Sequence, residues 1–98
     1  MDKYLCLHTI PGGSMTHQQV CQLADAAQHE ENVRGYRSFI NLSEGKVACI
    51  LEATDPDAIA EWFDKMQVPY DTIVPLELEG ERGEIHDLRK ESAKAGAH

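Results

Sequence analysis

Two segments with helical spacing divide the chain into strand-like stretches, and their order constrains the fold more than any other feature. The first segment follows Thr16, which forms a capping-box pattern with Gln19. The second follows Asp55 and Pro56, an N-cap residue and a proline suited to the first helical position. Apolar residues recur in both at helical spacing: Val20, Leu23, Ala24 and Ala27, then Ile59, Trp62, Phe63 and Met66. We therefore predict two helices that pack these residues into a core.

The stretches around these helices favour strands. Residues 3–10 are apolar and stop at a Pro-Gly-Gly turn, and a Ser-Glu-Gly turn joins residues 33–41 to residues 46–53. Residues 72–79 alternate around Pro75, which predicts an edge strand because proline removes a ladder donor. The element order β-α-β-β-α-β predicts an α+β fold. Its simplest form is a ferredoxin-like sandwich with an antiparallel sheet, and a dimeric α/β barrel is the alternative.

The length of 98 residues is enough for one core. We expect residues 1–80 to form the ferredoxin-like domain and residues 81–98 to form a charged C-terminal tail. Within that tail, residues 84–94 have the composition of a helix, with only Ile85 and Leu88 as apolar anchors.

The segment 47–51 is apolar at every position, so both faces of this strand require cover. This pattern predicts a central strand with helices on one face. A chain of this size cannot cover the second face as well, and we expect a second copy of the chain to do so.

Charge and cysteine content exclude several classes of protein. The formal net charge is −8, from 17 acidic and 9 basic residues, which disfavours a nucleic-acid partner. No apolar run spans a bilayer and no signal-type segment follows the first residues, so we expect a cytoplasmic protein without membrane contact. The three cysteines include no C-x-x-C pair and are predicted to be buried thiols in a reducing compartment.

The main candidate site lies on the first strand. Tyr4, Cys6 and His8 alternate with leucines and should project from one face. We expect the first and third strands to be central neighbours that run parallel, which would bring Glu52 close to His8. Imidazole, carboxylate and thiol groups can bind nickel, copper or zinc, although a histidine paired with a carboxylate in the absence of metal fits the same pattern.

Other residues offer less support for a site. The Pro-Gly-Gly turn lacks the spacing of a phosphate-binding loop, and no serine has the context of a nucleophile. The remaining histidines are predicted to be solvated, since none has a partner at metal-ligand spacing; they are His17, His29, His86 and His98.

The chain resembles a family of small bacterial nickel-binding proteins that was formerly described as a domain of unknown function. The resemblance covers about residues 3–79 and depends on the Ile-Pro-Gly-Gly turn, the threonine-capped helix, and the G-K-V-x-C-x-x-E-A strand. It implies a ferredoxin-like fold, dimerisation and a polar site at His8. Members usually carry a histidine near Phe63, and often a histidine or phenylalanine just before the proline, where this chain has Phe63 and Val68.

Three functions are compatible with these patterns. The first is a non-catalytic homodimer that binds nickel, another transition metal or a small ligand near His8, Cys6, Tyr36 and Glu52. The second is a small enzyme of the dimeric α/β-barrel type, in which a histidine acts as a base, and a buried pocket lined by His8 would favour it. The third is a structural or regulatory domain that only dimerises. Fold alone does not choose among them.

Overall fold

The computed structural model describes residues 1–89 of the chain. Over these residues the elements are β1 (Asp2–Thr9), α1 (His17–Ala27), β2 (Val33–Asn41), β3 (Lys46–Ala53), α2 (Pro56–Met66), β4 (Thr72–Pro75), β5 (Leu78–Glu81) and β6 (Glu84–Asp87). The fold is α+β, as predicted, with an antiparallel four-stranded sheet in the order β2-β3-β1-β4 and a separate β5-β6 hairpin. Neither helix has the length and hydropathy that a membrane span requires.

Both helices begin at the predicted signals. The Thr16 side chain accepts a hydrogen bond from the Gln19 amide at 3.1 Å, and the Gln19 side chain accepts one from the Thr16 amide at 2.8 Å. At the start of α2 the Asp55 carboxylate accepts from the Ala58 amide at 2.8 Å. Each cap satisfies amide groups that a helix leaves unpaired in its first turn.

The expectation that β1 and β3 run parallel is wrong. The two strands are central neighbours, but they pair antiparallel, with His8 opposite Val47 and Lys3 opposite Glu52. The crossover through α1 returns β2 in the direction of β1, and the hairpin then reverses β3. His8 and Glu52 therefore lie near opposite ends of the β1-β3 pairing.

The helices cover one face of the sheet and form the core with it. Trp62 and Phe63 of α2 are 7% and 1% exposed, which confirms their prediction as core residues. The core cluster also contains Tyr4, Cys6, Ala27, Val33, Leu51, Ala53 and Ile59. The alternation of β1 sends Tyr4, Cys6 and His8 to this covered face, as its sequence pattern predicted.

The C-terminal part of the described chain differs from the prediction. The expected strand 72–79 is divided into β4, which pairs at the sheet edge as predicted, and β5. The expected helix is wrong over residues 84–87, which form β6, because Arg82 and Gly83 both adopt positive φ in a two-residue hairpin turn. Leu88 is buried, so the chain docks here. Residues 88 and 89 are helical, and residues 90–94 of the predicted helix lie outside the described residues.

Candidate functional site

The four predicted ligands do not converge. His8 and Cys6 project from the covered face of β1, where both are buried. Glu52 is opposite Lys3 in the β1-β3 register and belongs to the other face of the sheet. Tyr36 occupies a β-bulge in β2, between Gly35 and Arg37. The structure thus brings together His8 and Cys6 and separates both of them from Glu52.

Tyr36 takes part in a different cluster, with Lys3 and Glu79. The Lys3 ammonium lies 2.8 Å from the Glu79 carboxylate and 4.0 Å from the centre of the Tyr36 ring, and the Tyr36 hydroxyl donates to Glu79 at 2.7 Å. The hydrogen bonds from Lys3 and then from Tyr36 lower the pKa of Glu79. Burial lowers the pKa of Lys3, but the hydrogen bond and charge of Glu79 outweigh it and raise that pKa overall. The cluster ties the β5-β6 hairpin to the sheet.

His8 is held by the backbone rather than by a carboxylate. Its Nδ1 atom lies 2.7 Å from the Pro69 carbonyl oxygen, so Nδ1 carries the hydrogen and donates it. The ring meets Phe63 edge to face, with 4.8 Å between ring centres. Its Nε2 atom is buried and has no hydrogen-bond partner in residues 1–89. This histidine is therefore fixed in one orientation with an unused nitrogen.

Two of the three thiols are poorly suited to bind metal. Cys6 and Cys49 are opposite each other in β1 and β3. Burial, followed by the neighbouring Cys49, raises the pKa of Cys6 to about 12. Burial also raises the pKa of Cys49, and a hydrogen bond from Ser38 opposes that shift. Because the thiolate is the form that binds metal, these two groups are poor ligands at neutral pH.

The third thiol is exposed, contrary to the prediction of buried cysteines. Cys21 lies one turn after His17 on α1, and its Sγ atom is 3.6 Å from His17 Nε2. Zinc bonds of about 2.1 Å to nitrogen and 2.3 Å to sulfur at a tetrahedral angle place the two donors about 3.6 Å apart. The distance between the two donor atoms is therefore compatible with binding to one transition-metal ion.

The prediction that His17 has no partner at metal-ligand spacing is therefore wrong. The missed signal is the spacing His-x-x-x-Cys within a helix, because residues four apart lie on one face. Asp25 continues that face, and its carboxylate lies 4.0 Å from Nδ1 of His29. Within residues 1–89 no group of three or more His, Cys, Asp or Glu side chains converges on a metal position. His17 and Cys21 are thus a pair of neighbouring candidate ligands.

A cavity of about 320 Å³ lies between the helices and the sheet, and His8 is among its lining residues. Most of its wall is apolar and comes from α1, β2 and β3, including Val20, Leu23, Ile40 and Val47. Trp62 and Phe63 close it on the side of α2. A pocket lined by His8 is the feature that would favour the small-enzyme alternative among the three functions considered above.

On the other face of the sheet, the β5-β6 hairpin contacts Lys3 and Tyr36 through Glu79, and no helix among the described residues covers the centre. The strand register places two apolar rows at its centre, made of Leu5, Ile50 and Val74 and of Leu7, Ala48 and Phe39. Phe39 is 59% exposed and Val74 is 42% exposed. Charged residues bound these rows, with Lys46 at one end of β3 and Glu52 at the other. We refer to this surface as the open face.

Comparison with known proteins identifies one family. The family model described as "Nickel responsive protein SCO4226-like" matches residues 4–76 of this chain. The match covers β1 through β4, and so includes His8, His17 and Cys21. It confirms the resemblance to a small nickel-related family. A search among curated proteins and a search among solved structures each found no match.

Proposed function

Because this chain belongs to the SCO4226-like family of nickel responsive proteins, we propose that it is a small non-catalytic protein that binds nickel or another transition metal. The observation that supports direct binding most strongly is the distance of 3.6 Å between His17 Nε2 and Cys21 Sγ. Imidazole and thiolate are ligands that suit divalent first-row metals. Water molecules would complete the coordination at this exposed position.

The exposed pair is a better site than the one proposed on the sheet. Cys6 is a poor metal ligand, because burial raises its pKa to about 12 and the thiolate is the form that binds metal. Glu52 and Tyr36 lie away from His8, so they cannot complete a site there without movement of the sheet. The set of His8, Cys6, Glu52 and Tyr36 stays a prediction, and metal binding by His8 variants tests it.

We expect wild-type protein, purified without an affinity tag and stripped with a chelator, to bind one nickel ion per chain in calorimetric titration at neutral pH. His17→Ala and Cys21→Ser should each weaken binding at least about tenfold, equivalent to about 1.4 kcal/mol, because each removes one of two protein ligands. Affinity should fall as the solution is acidified, since protons compete for both groups.

Two further variants serve as controls in this titration. His86→Ala removes an exposed histidine outside the pair and should leave nickel binding unchanged. His8→Gln tests the sheet site, and we expect it to be neutral as well. Nickel binding that disappears in His8→Gln and survives in His17→Ala would move the site to the sheet.

We also propose that the domain is ferredoxin-like and that it resides in the cytoplasm. The free, exposed thiol of Cys21 supports the location, because it suits a reducing compartment.

We propose in addition that a second copy of the chain covers the open face. Apolar rows with a charged rim have the composition of a protein interface. A two-fold axis across the strands would bring the apolar rows of the two protomers together.

The dimer is tested by substitution at the centre of the open face. Wild-type protein should sediment as a dimer at micromolar concentration, and Phe39→Glu should sediment as a monomer because it would bury a carboxylate in the apolar rows. Gln22→Glu introduces the same charge on exposed α1 and should remain dimeric. Wild-type protein that is monomeric across this concentration range would contradict the proposal.

A further inference from the structure

The four-stranded sheet has two edges, formed by β2 and β4. β4 has only four residues and includes Pro75, which has no amide hydrogen to donate. β2 has nine residues and no proline. A strand at an edge carries unpaired N–H and C=O groups that can pair with a further strand, and natural proteins usually block such edges. β2 is therefore the edge of this sheet that can accept another strand.

The first half of β2 is blocked. A bulge interrupts the strand just after Gly35, and the Gln28 side chain donates to the Gly35 carbonyl oxygen at 2.7 Å, so α1 occupies this part of the edge. Beyond the other end of the strand, the Gly13 amide donates to the Leu42 carbonyl oxygen at 2.9 Å. Residues 37–41 lie between these two points, and we refer to them as the free edge.

Two residues of the free edge direct their backbone groups away from the sheet. The Ile10 amide donates to the Gly45 carbonyl oxygen, so these residues are a hydrogen-bonded pair that continues the β1-β3 register. Hydrogen-bonded pairs alternate along an antiparallel strand, so β3 bonds to β2 at Phe39 and not at Ser38 or Ile40. The N–H and C=O groups of Ser38 and Ile40 therefore face outward, without a backbone partner among residues 1–89.

The cavity between the helices and the sheet opens beside these backbone groups. Ser38 and Ile40 both line it and are both exposed, and Val20 and Leu23 of α1 form the facing wall. A strand added to the free edge would direct every second side chain to the same face, at the opening of this mostly apolar cavity. In peptide recognition by strand addition, backbone hydrogen bonds give affinity and pockets of this kind give specificity.

The intervening side chains of an added strand would lie on the open face, beside Phe39 and Arg37. Arg37 is exposed, and its guanidinium lies 5.7 Å from the centre of the Tyr36 ring. It forms no salt bridge with a carboxylate of residues 1–89. A carboxylate directly across an antiparallel pair from Arg37 would be favoured, as opposite charges are in cross-strand pairs.

We propose that the free edge binds an extended peptide segment of a partner protein as an antiparallel fifth strand, with the sequence pattern apolar-x-apolar-acidic. The two apolar residues pair with Ile40 and Ser38 through their backbones and direct their side chains to the cavity, and the acidic residue lies opposite Arg37. The rest of the segment is neutral or basic, because the net charge of −8 repels an acidic peptide. This site is separate from His17 and Cys21 and goes beyond the function proposed above.

The probe is a blocked peptide, acetyl-Lys-Val-Thr-Val-Glu-Lys-amide. In two-dimensional proton–nitrogen spectra it should shift the amide resonances of Ser38 and Ile40 and slow the hydrogen exchange of both amides. Methylation of both valine nitrogens removes the donors that face β2, and it should weaken binding at least about tenfold. The matched control carries the methyl groups on the threonine and glutamate nitrogens, which point away from β2, and should bind as the unmodified peptide does.

A substitution tests the acidic position. Arg37→Gln should weaken the peptide about twofold to fivefold, and it should leave unchanged a version of the peptide in which glutamine replaces the glutamate.

The proposal can be overturned with wild-type protein alone. Equal affinities for the two methylated peptides, or Ser38 and Ile40 resonances that the peptide does not move, would contradict strand addition. Without peptide, exchange protection of the same two amides that appears only at high protein concentration would mean that a second copy of the chain occupies the free edge, and this result would overturn the proposal as well.

Discussion

Replacing Gly45 with alanine is expected to lower the free energy of unfolding by about 3 kcal/mol or more. Gly45 has φ of +72°, a conformation that side chains disfavour, and a Cβ atom there would overlap the backbone carbonyl oxygen of Ile10. The Ile10 amide donates to the Gly45 carbonyl at 2.8 Å, so the two backbones cannot separate without losing this bond. Chemical denaturation measures the loss.

Gly13→Ala is the matched control for this prediction. Gly13 also has positive φ, at +76°, but a Cβ atom there meets nothing within 4 Å. Its substitution should therefore cost only the backbone strain, about 1–2 kcal/mol. If both variants lost the same stability, the close contact between the turn after β1 and the turn before β3 would have no energetic consequence.

Phe63→Ala should be similarly damaging, with a loss of about 3–5 kcal/mol, because it removes a buried aromatic ring from the centre of the core. Phe63 is 1% exposed, and its ring contacts those of His8, Trp62 and Tyr70. The truncation would also enlarge the cavity beside it. Thermal and denaturant unfolding of the variant give the change in free energy.

Gln22→Ala is the control on the exposed face of α1, and we expect it to change stability by less than about 0.5 kcal/mol. Gln28 is unsuitable for this purpose, because its side chain donates to the Gly35 carbonyl at 2.7 Å. Equal unfolding midpoints for Phe63→Ala and Gln22→Ala would mean that α2 does not pack on the sheet through this residue.

Local signals predicted most of the fold. Thr16 and Asp55 marked the helix starts, and the apolar segment 47–51 marked the central strand, because capping and burial act on residues that are near in sequence. The predicted direction of β3 relative to β1 was wrong, because the direction depends on how the α1 crossover and the β2-β3 hairpin combine. The β5-β6 hairpin was missed because an Arg-Gly turn is a weak signal within a charged segment.

The candidate site was harder to predict from the sequence than the fold. The strand pattern correctly placed Cys6 and His8 on one face, but no local rule shows that the Pro69 carbonyl, 61 residues away, occupies His8 Nδ1. The contact between His17 and Cys21 was within reach, because four-residue spacing on a helix predicts it. The cavity needs the complete packing of helices on sheet, which no segment of the sequence contains.

The most direct test of the nickel site is absorption spectroscopy of the chelator-stripped, untagged protein during titration with nickel. A thiolate bound to nickel gives a charge-transfer band in the near ultraviolet, and each of the three cysteines can be replaced in turn. We predict that the band appears in wild-type protein, persists in Cys6→Ser and Cys49→Ser, and is absent in Cys21→Ser. A titration without the band in wild-type protein, or a band that Cys21→Ser retains, would contradict nickel binding by His17 and Cys21.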